Sequence, residues 1–313
     1  MLQALSIAFH AIVPLFLIIA VGYTVKRLGW IGPEEVRRFN KVTFYTFMPV
    51  MLFYNIYTSD FSQAVRLPYA LFVVGAALGM VAVSFAVTLL AEKMPERRGV
   101  MIQAAFRSNF VLLGLPIAAE LLPEGNLGVT ALMVAIVVPI YNMMSVVVLE
   151  YFRGGKPRAG EVLLAVVKNP LILGSVAGLL VQALHITLPE GLVSFAGKMN
   201  SAATPLILLL LGASFETREI TRYKKELLVC VGLRLVVFPG AILTLAAALG
   251  LRDIEFVTVL AMTAAPTAVN SFNMAQQLGG DSQLAGSAVV VSTAASFFTL
   301  FVWITLFKQL GMF

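Results

Sequence analysis

Two short stretches of the 313-residue chain place proline, glycine and neutral polar residues inside runs that are otherwise apolar. The first reads Arg107-Ser108-Asn109-Phe-Val-Leu-Leu-Gly114-Leu-Pro116, and the second Pro266-Thr267-Ala-Val-Asn270-Ser-Phe-Asn273. Proline lacks an amide donor, clashes with the carbonyl four residues back and suits the first turn of a new helix. Gly114 beside Pro116, and the polar neighbours of Pro266, therefore predict helix breaks rather than kinks. Each break exposes amides with about half a positive charge at the new N-terminus, and carbonyls at the interrupted C-terminus. Two breaks meeting at one level would form a polar centre without carboxylates. There Asn109 and Asn270 can donate, accept and hold the unwound backbone. The chemistry predicted is noncovalent recognition of an organic anion.

Arg107 and Arg234 are the candidate balancing cations. Each stands nine residues beyond a basic residue at a loop end, Arg98 and Lys225 respectively. Nine residues of helix is roughly 13 Å, close to a bilayer midplane. An arginine at that depth costs about 2.5–3.5 kcal/mol on insertion scales, so it faces a cavity or a partner. Snorkelling to the surface and capping of helix carbonyls remain open for both. Lys168 and Lys198 are expected to snorkel.

The elements that must position these residues are membrane spans. The chain is 59% hydrophobic and only 12% charged, with a mean hydropathy of +0.92. Soluble domains carry about 25% charged residues, so water is not the main solvent of this one. Runs near the roughly 20 residues that a bilayer core demands lie at 5–25, 42–57, 69–90, 101–122, 127–149, 162–184, 188–211, 227–249, 256–278 and 284–307. The first lacks a basic n-region and exceeds a signal-peptide core, so it reads as a span. Fifteen Lys and Arg fall in loops 1–2, 3–4, 5–6 and 7–8, against three (Arg66, Arg252 and Lys308) on the other face. The positive-inside rule puts those four loops in the cytoplasm and both termini outside.

The two halves are internally similar. Pro14 and Gly22 recur as Pro170 and Gly178, and Pro49 as Pro205, all displaced by 156 positions. Gly125-Asn126 resembles Gly280-Asp281 at 155. Each copy holds an odd number of spans, so the second enters the membrane inverted. The expected fold is all-α and polytopic: ten transmembrane helices as a 5+5 inverted repeat with broken helices four and nine. The repeats are residues 1–152 and 161–313, joined by a short cytoplasmic linker at 153–160.

Other chemistries are excluded by composition. The net charge of +6 lies in short loops, which argues against nucleic acid. Cys230 is the only cysteine, and His10 and His185 form no metal pattern, so no metal or cofactor is expected. Gly154-Gly155-Lys156-Pro157 lacks the spacing of a phosphate loop. Gly279-Gly280-Asp281 has no second membrane aspartate to share a proton, and neither histidine is placed to activate a membrane serine. The chain does not read as an enzyme.

The motifs resemble those of the auxin efflux carrier family, which includes bacterial malonate permeases and plant PIN auxin carriers. Asn109-x4-Gly114-x-Pro116 is similar to the family's fourth span. Ala265-Pro266-Thr267-Ala-Val-Asn270, followed by Gly280-Asp281, resembles the ninth span and the start of the tenth. Tyr141 is similar to a tyrosine that lines the substrate pocket in the plant carriers. Where those have a serine after the span-two proline, this chain has Leu52, and their long cytoplasmic loop is reduced to 152–161. The resemblance implies a compact bacterial inner-membrane permease for a carboxylate. It further implies a scaffold and a crossover domain, elevator-like alternating access and a homodimer through spans two and seven. The substrate site it implies comprises Asn109, Gly114, Pro116, Tyr141, Pro266, Thr267 and Asn270, with Arg107 and Arg234. Two other readings remain: a sodium-coupled anion symporter of the bile-acid and arsenite type, for which Gln276 and Gln277 are the available ligands, and an anion sensor that does not transport.

Overall fold

Helix breaks and glycine contacts set the layout in the computed structural model, which describes residues 2–59, 65–122, 127–153 and 159–313. In chain order the helices are α1 (Leu2–Arg27), α2 (Pro33–Val42), α3 (Met48–Tyr57), α4 (Leu67–Ala91), α5 (Pro95–Phe106), α6 (Leu115–Leu121), α7 (Gly128–Phe152), α8 (Ala159–Lys168), α9 (Pro170–Ala183), α10 (Glu190–Ser214), α11 (Thr217–Arg222), α12 (Lys224–Gly232), α13 (Phe238–Ala248), α14 (Asp253–Ala264), α15 (Asn270–Gln277) and α16 (Ser282–Gln309). Wide π-helical turns at Thr43–Phe47, Phe110–Gly114 and Leu233–Val237 join α2 to α3, lead into α6, and join α12 to α13. Among the described residues there is no strand. Gly125-Asn126 and most of the predicted linker lie outside them.

Five helices are long and apolar enough to cross a membrane: α4, α7, α10, the continuous α12–α13 run and α16. A sixth is added if α8 and α9, bent by 60°, count as one span. At that bend the Asn169 side chain accepts from the Leu171 amide at 2.9 Å, and Pro170 occupies the first turn, where a missing donor costs nothing.

Burial separates central helices from peripheral ones. Every residue from Gly99 to Phe106 in α5, and from Phe256 to Ala264 in α14, is buried. A helix apolar all round belongs at the centre. By contrast α4, α9 and α10 expose Leu71, Leu78, Leu173, Leu180 and Phe195, an outer surface suited to lipid.

The helices pack as two groups. α1 lies along α10, and α3 lies along α9 and α10. Gly22 stands against the Leu209 carbonyl, and a Cβ on Gly178 would come within 3.0 Å of the Phe53 carbonyl oxygen. The other group gathers α4, α7, α12, α13 and α16 around α5 and α14. Its basic-loop end is tied by Arg97, which reaches Glu226 at 2.7 Å, Asp281 at 3.6 Å and Glu92 at 3.8 Å. Asp281 also caps α16 through the Leu284 amide at 3.0 Å and accepts from the Tyr223 hydroxyl at 2.8 Å. Burial and that carboxylate raise the Tyr223 phenol above its usual range, so it remains a donor at neutral pH.

Candidate functional site

Helix α5 stops at Phe106 because Arg107 turns to extended geometry, with φ −81° and ψ 100°. Helix α14 stops at Ala264, where Ala265 takes φ −64° and ψ 147°. The two extended segments pair antiparallel at Ser108 and Thr267. Asn109 N–H donates to the Pro266 carbonyl at 2.8 Å, and Ala268 N–H to the Arg107 carbonyl at 3.0 Å. Each interruption thus supplies hydrogen-bond partners to the other, where unpaired backbone in hydrocarbon would be costly. Thr267 adds a bond from its hydroxyl to the Ala104 carbonyl at 2.8 Å and one from its amide to Ser292 Oγ at 3.2 Å.

Arg234 completes this frame. Its fully buried guanidinium donates to the carbonyls of Phe106 at 2.8 Å, Met262 at 3.2 Å and Thr263. Those groups end α5 and α14, so one cation caps both interrupted C-termini.

The first break differs from the sequence expectation. It lies at Arg107–Asn109, and helical structure resumes at Phe110, ahead of Gly114 and Pro116. The wide turn absorbs the proline: the Asn109 carbonyl accepts from both Leu113 at 3.1 Å and Gly114 at 3.2 Å, and Pro116 falls in the first turn of α6. Gly114 serves close packing, since a Cβ there would sit 2.8 Å from the Ala261 carbonyl oxygen. Likewise α15 begins at Asn270, so Pro266 belongs to the paired segment and does not start the helix.

Beside the paired segments lies a cavity of about 230 Å³. Met51, Leu52 and Asn55 of α3, with Asn200, Ser201 and Thr204 of α10, form one wall. The opposite wall comprises residues 107–112, Val138, Tyr141 and Asn142 of α7, and Ala268 and Asn270. Among the described residues no acidic side chain lines it. Arg107 donates to Asn142 Oδ1 and points another nitrogen at the Met274 sulfur. Its charge is therefore held by neutral groups alone. Among the described residues, the buried Ser108 Oγ, Asn109 Nδ2, Asn142 Nδ2 and Asn270 Oδ1 have no hydrogen-bond partner. Buried polar atoms left unpaired are costly and ask for an occupant. Tyr141 closes one end, its ring 5.8 Å from that of Phe106 and its phenol beside Arg234.

Of the residues singled out from sequence, Arg107, Asn109, Tyr141 and Asn270 line the cavity. Thr267, Pro266, Gly114 and Arg234 build its frame, and Pro116 is exposed. Sequence reasoning missed Ser108, Asn142, Asn55, Asn200, Ser201 and Thr204; each is a polar residue inside an apolar run, the one signal they offered. Leu52 does line the cavity, which makes that side apolar. His10 contacts Ser6 near one surface, and His185 is exposed in the turn after α9. Lys168 and Lys198 are both exposed. Among the described residues no group of three metal-ligating side chains occurs.

Comparison with known proteins gives the chain a family. A family described as "Membrane transport protein" matches residues 7–304. An uncharacterized transporter of Methanothermobacter thermautotrophicus is 23% identical over 94% of this chain and 96% of its own length. One from Methanocaldococcus jannaschii is 22% identical over 95% and 98%. The "Putative malonate transporter" of Rhizobium meliloti is 24% identical over 92% of each. With a family match over nearly its whole length and several membrane-capable helices, the chain is a multi-pass membrane protein that belongs to the membrane transport protein family, the auxin efflux carrier family that its interrupted spans resemble.

Proposed function

We propose that the chain is a secondary carrier for a small organic anion, a mono- or dicarboxylate, bound where the two interrupted spans meet. The observation that carries this reading is the chemical inventory of the cavity. It holds one guanidinium with only neutral partners, unpaired donors on Ser108, Asn109 and Asn142, and no acid among the described residues. The helical turn beginning at Phe110 faces the same space. A carboxylate would satisfy these donors together and balance Arg107. Drug-sized ligands occupy pockets of about 300–1,000 Å³, so a cavity near 230 Å³ suits something smaller. The relative named for malonate transport points to the same substrate class.

The cavity lies between the two helix groups, a placement suited to alternating access. In this reading α1, α3, α9 and α10 form a scaffold. The bundle around α5 and α14 moves against it as the crossover of helices four and nine in a ten-span, 5+5 inverted fold. The contacts of Gly22 with Leu209 and of Gly178 with Phe53 support the repeat, because a single shift of 156 converts one pair into the other. Ser201 lines both the cavity and a wider surface cleft with Tyr54, Glu190 and Lys198. That cleft lies toward the face with fewer loop cations, so the conformation is read as open to the outside, with both termini outside a bacterial plasma membrane. The sodium-coupled reading is less favoured: among the described residues no carboxylate lines the cavity, Gln276 bonds Asn40 at 2.6 Å, and Arg234 takes the carbonyls of Phe106 and Met262 at the breaks.

The test is uptake of labelled malonate into proteoliposomes, with unlabelled carboxylates and neutral analogues as competitors and with sodium and pH gradients varied. Competition by carboxylates alone, without a sodium requirement, is expected. Binding without uptake would favour an anion sensor, and strict sodium dependence would favour the symporter.

A further inference from the structure

A second polar cleft, of about 520 Å³, lies at the basic-loop ends of α1 and α10 and is lined by Tyr23, Lys26, Arg27, Phe215, Glu216 and Arg218. It shares no lining residue with the cavity described above. Three cations face one carboxylate there. Lys26 Nζ is used by the frame, reaching the Phe215 carbonyl at 3.4 Å and Glu216 Oε1 at 3.3 Å. Arg27 is engaged only by a neutral phenol: its Nε and Nη2 donate to the Tyr23 hydroxyl at 2.9 and 2.6 Å, and its guanidinium stacks over the same ring. Among the described residues Arg218 has no partner. Two guanidiniums thus stand uncompensated around one recess, while Glu216, the one acid lining it among the described residues, is already shared with Lys26.

We propose that this cleft binds the phosphate of an anionic phospholipid headgroup. A phosphate diester offers acceptor oxygens to two guanidiniums at once, an arrangement to which arginine's planar fork is suited. The surroundings choose lipid over a soluble phosphate. Leu28 and Trp30 follow Arg27 directly and are exposed, Trp30 to 74%. Leu17 and Val21 continue the exposed apolar strip along α1 above it. An apolar strip, an exposed tryptophan and a basic recess in sequence mark acyl chains, interface and headgroup level. The bound headgroup would bridge the ends of α1 and α10, which meet one turn deeper through Gly22 and Gly212, and so brace the helix pair read above as scaffold.

The experiment follows thermal unfolding of the detergent-solubilised full chain, with added phosphatidylglycerol, phosphatidylcholine, inorganic phosphate or glycerol 3-phosphate. Phosphatidylglycerol is expected to raise Tm by roughly 3–6 °C, and the neutral lipid and soluble phosphates are not. The increase should vanish in Arg27→Gln/Arg218→Gln and persist in Lys41→Gln/Lys225→Gln, which removes equal charge from the same face outside the cleft. Arg218→Gln alone, at an exposed side chain, keeps the test available if the double variant fails to fold; it should at least halve the increase. An increase that survives in both cleft variants, one lost equally in the control, or one matched by inorganic phosphate would overturn the assignment. None of these readouts depends on transport, so they stand whether or not the carrier reading does.

Discussion

Asn273 in α15 donates from one amide nitrogen to both the backbone carbonyl and the side-chain oxygen of Asn40 in α2, at 3.2 and 2.9 Å. Asn40 in turn donates to Gln276 at 2.6 Å. Both asparagines are fully buried, where hydrogen bonds are strong and unmade ones costly. Asn273 lies one turn beyond Asn270 of the cavity, and Asn40 precedes the turn that enters α3. These bonds tie α2 to α15 on the basic-loop side of Asn270, and in the proposed carrier they are the latch that an opening on that side would have to break.

If the proposed alternating access holds, removing this latch should shift the protein toward the state open on that side. Each buried hydrogen bond contributes about 0.5–1.5 kcal/mol, so Asn273→Ala should raise the minor population several-fold. In a Cys230→Ala background, a cysteine at Ala268 reports this through its labelling rate by a membrane-impermeant reagent in inside-out vesicles. Equal rates with and without Asn273→Ala would show that the bonds do not gate the cavity.

Asn109 has two separable duties. Its backbone holds the paired segments, and its side-chain nitrogen is free to meet a ligand. Asn109→Ala leaves the first duty intact, so the protein should fold with Tm little changed. Loss of one hydrogen bond to a charged ligand costs about 1.5–3 kcal/mol, or roughly 10- to 150-fold in apparent affinity for a carboxylate. Asn109→Asp should be worse, because it sets like charges together. Uptake kinetics beside a thermal melt separate the two duties, and wild-type affinity in Asn109→Ala would remove this side chain from the site.

The two buried arginines should fail differently. Arg234→Gln strands carbonyls at the ends of α5 and α14, at about 1–3 kcal/mol for each unsatisfied group. A large fall in Tm, or loss of folded protein, is expected. Arg107 bonds only the neutral side chains of Asn142 and Met274 among the described residues, and faces the cavity. Arg107→Gln should retain much of the stability and lose anion binding, with inhibition by carboxylates following the same loss. Similar melting curves for the two variants would contradict the division of labour.

Composition and loop charge made the membrane class legible, because a chain this apolar has no other solvent. The polar stretches around Asn109 and Pro266 contain both interruptions, but the first lies at Arg107–Asn109, several residues ahead of the expected Gly114 and Pro116. They could not locate the first one more closely, since the π-helical turn at Phe110–Gly114 takes up the amide missing at Pro116. Arg234 was legible as deep, with carbonyl capping one of the readings left open; the sequence could not choose it, because the carbonyls it meets lie 128 and 28 residues away. Polar residues such as Asn142 and Ser201 carry a weaker signal for a related reason. A serine in a span commonly satisfies itself on its own helix, as Ser175 does on the Leu171 carbonyl and the lining Ser201 does on the Gly197 carbonyl, both at 2.9 Å, so residue type alone does not mark a lining position.

The proposed repeat makes a paired prediction about glycine. Gly22 meets the Leu209 backbone and Gly178 that of Phe53, and in each case a Cβ would press on carbonyl atoms that cannot rotate away. Overpacking costs typically about 1–3 kcal/mol, so Gly22→Ala and Gly178→Ala should each lower Tm. Gly22→Ala should lower it more, since the approach there is closer. Gly75 and Gly79 in α4 have nothing within 4 Å of an added Cβ. Alanine is favoured over glycine in a helix by about 1 kcal/mol, so Gly75→Ala and Gly79→Ala should be neutral or stabilising. Melts of the four variants in one detergent would distinguish contact from propensity: a uniform rise would mean that helix propensity alone decides, and a uniform fall would contradict both accounts. A fall confined to Gly22 and Gly178 would mean that two helix crossings related by one sequence shift hold the same close contact, as the two copies of an inverted repeat should.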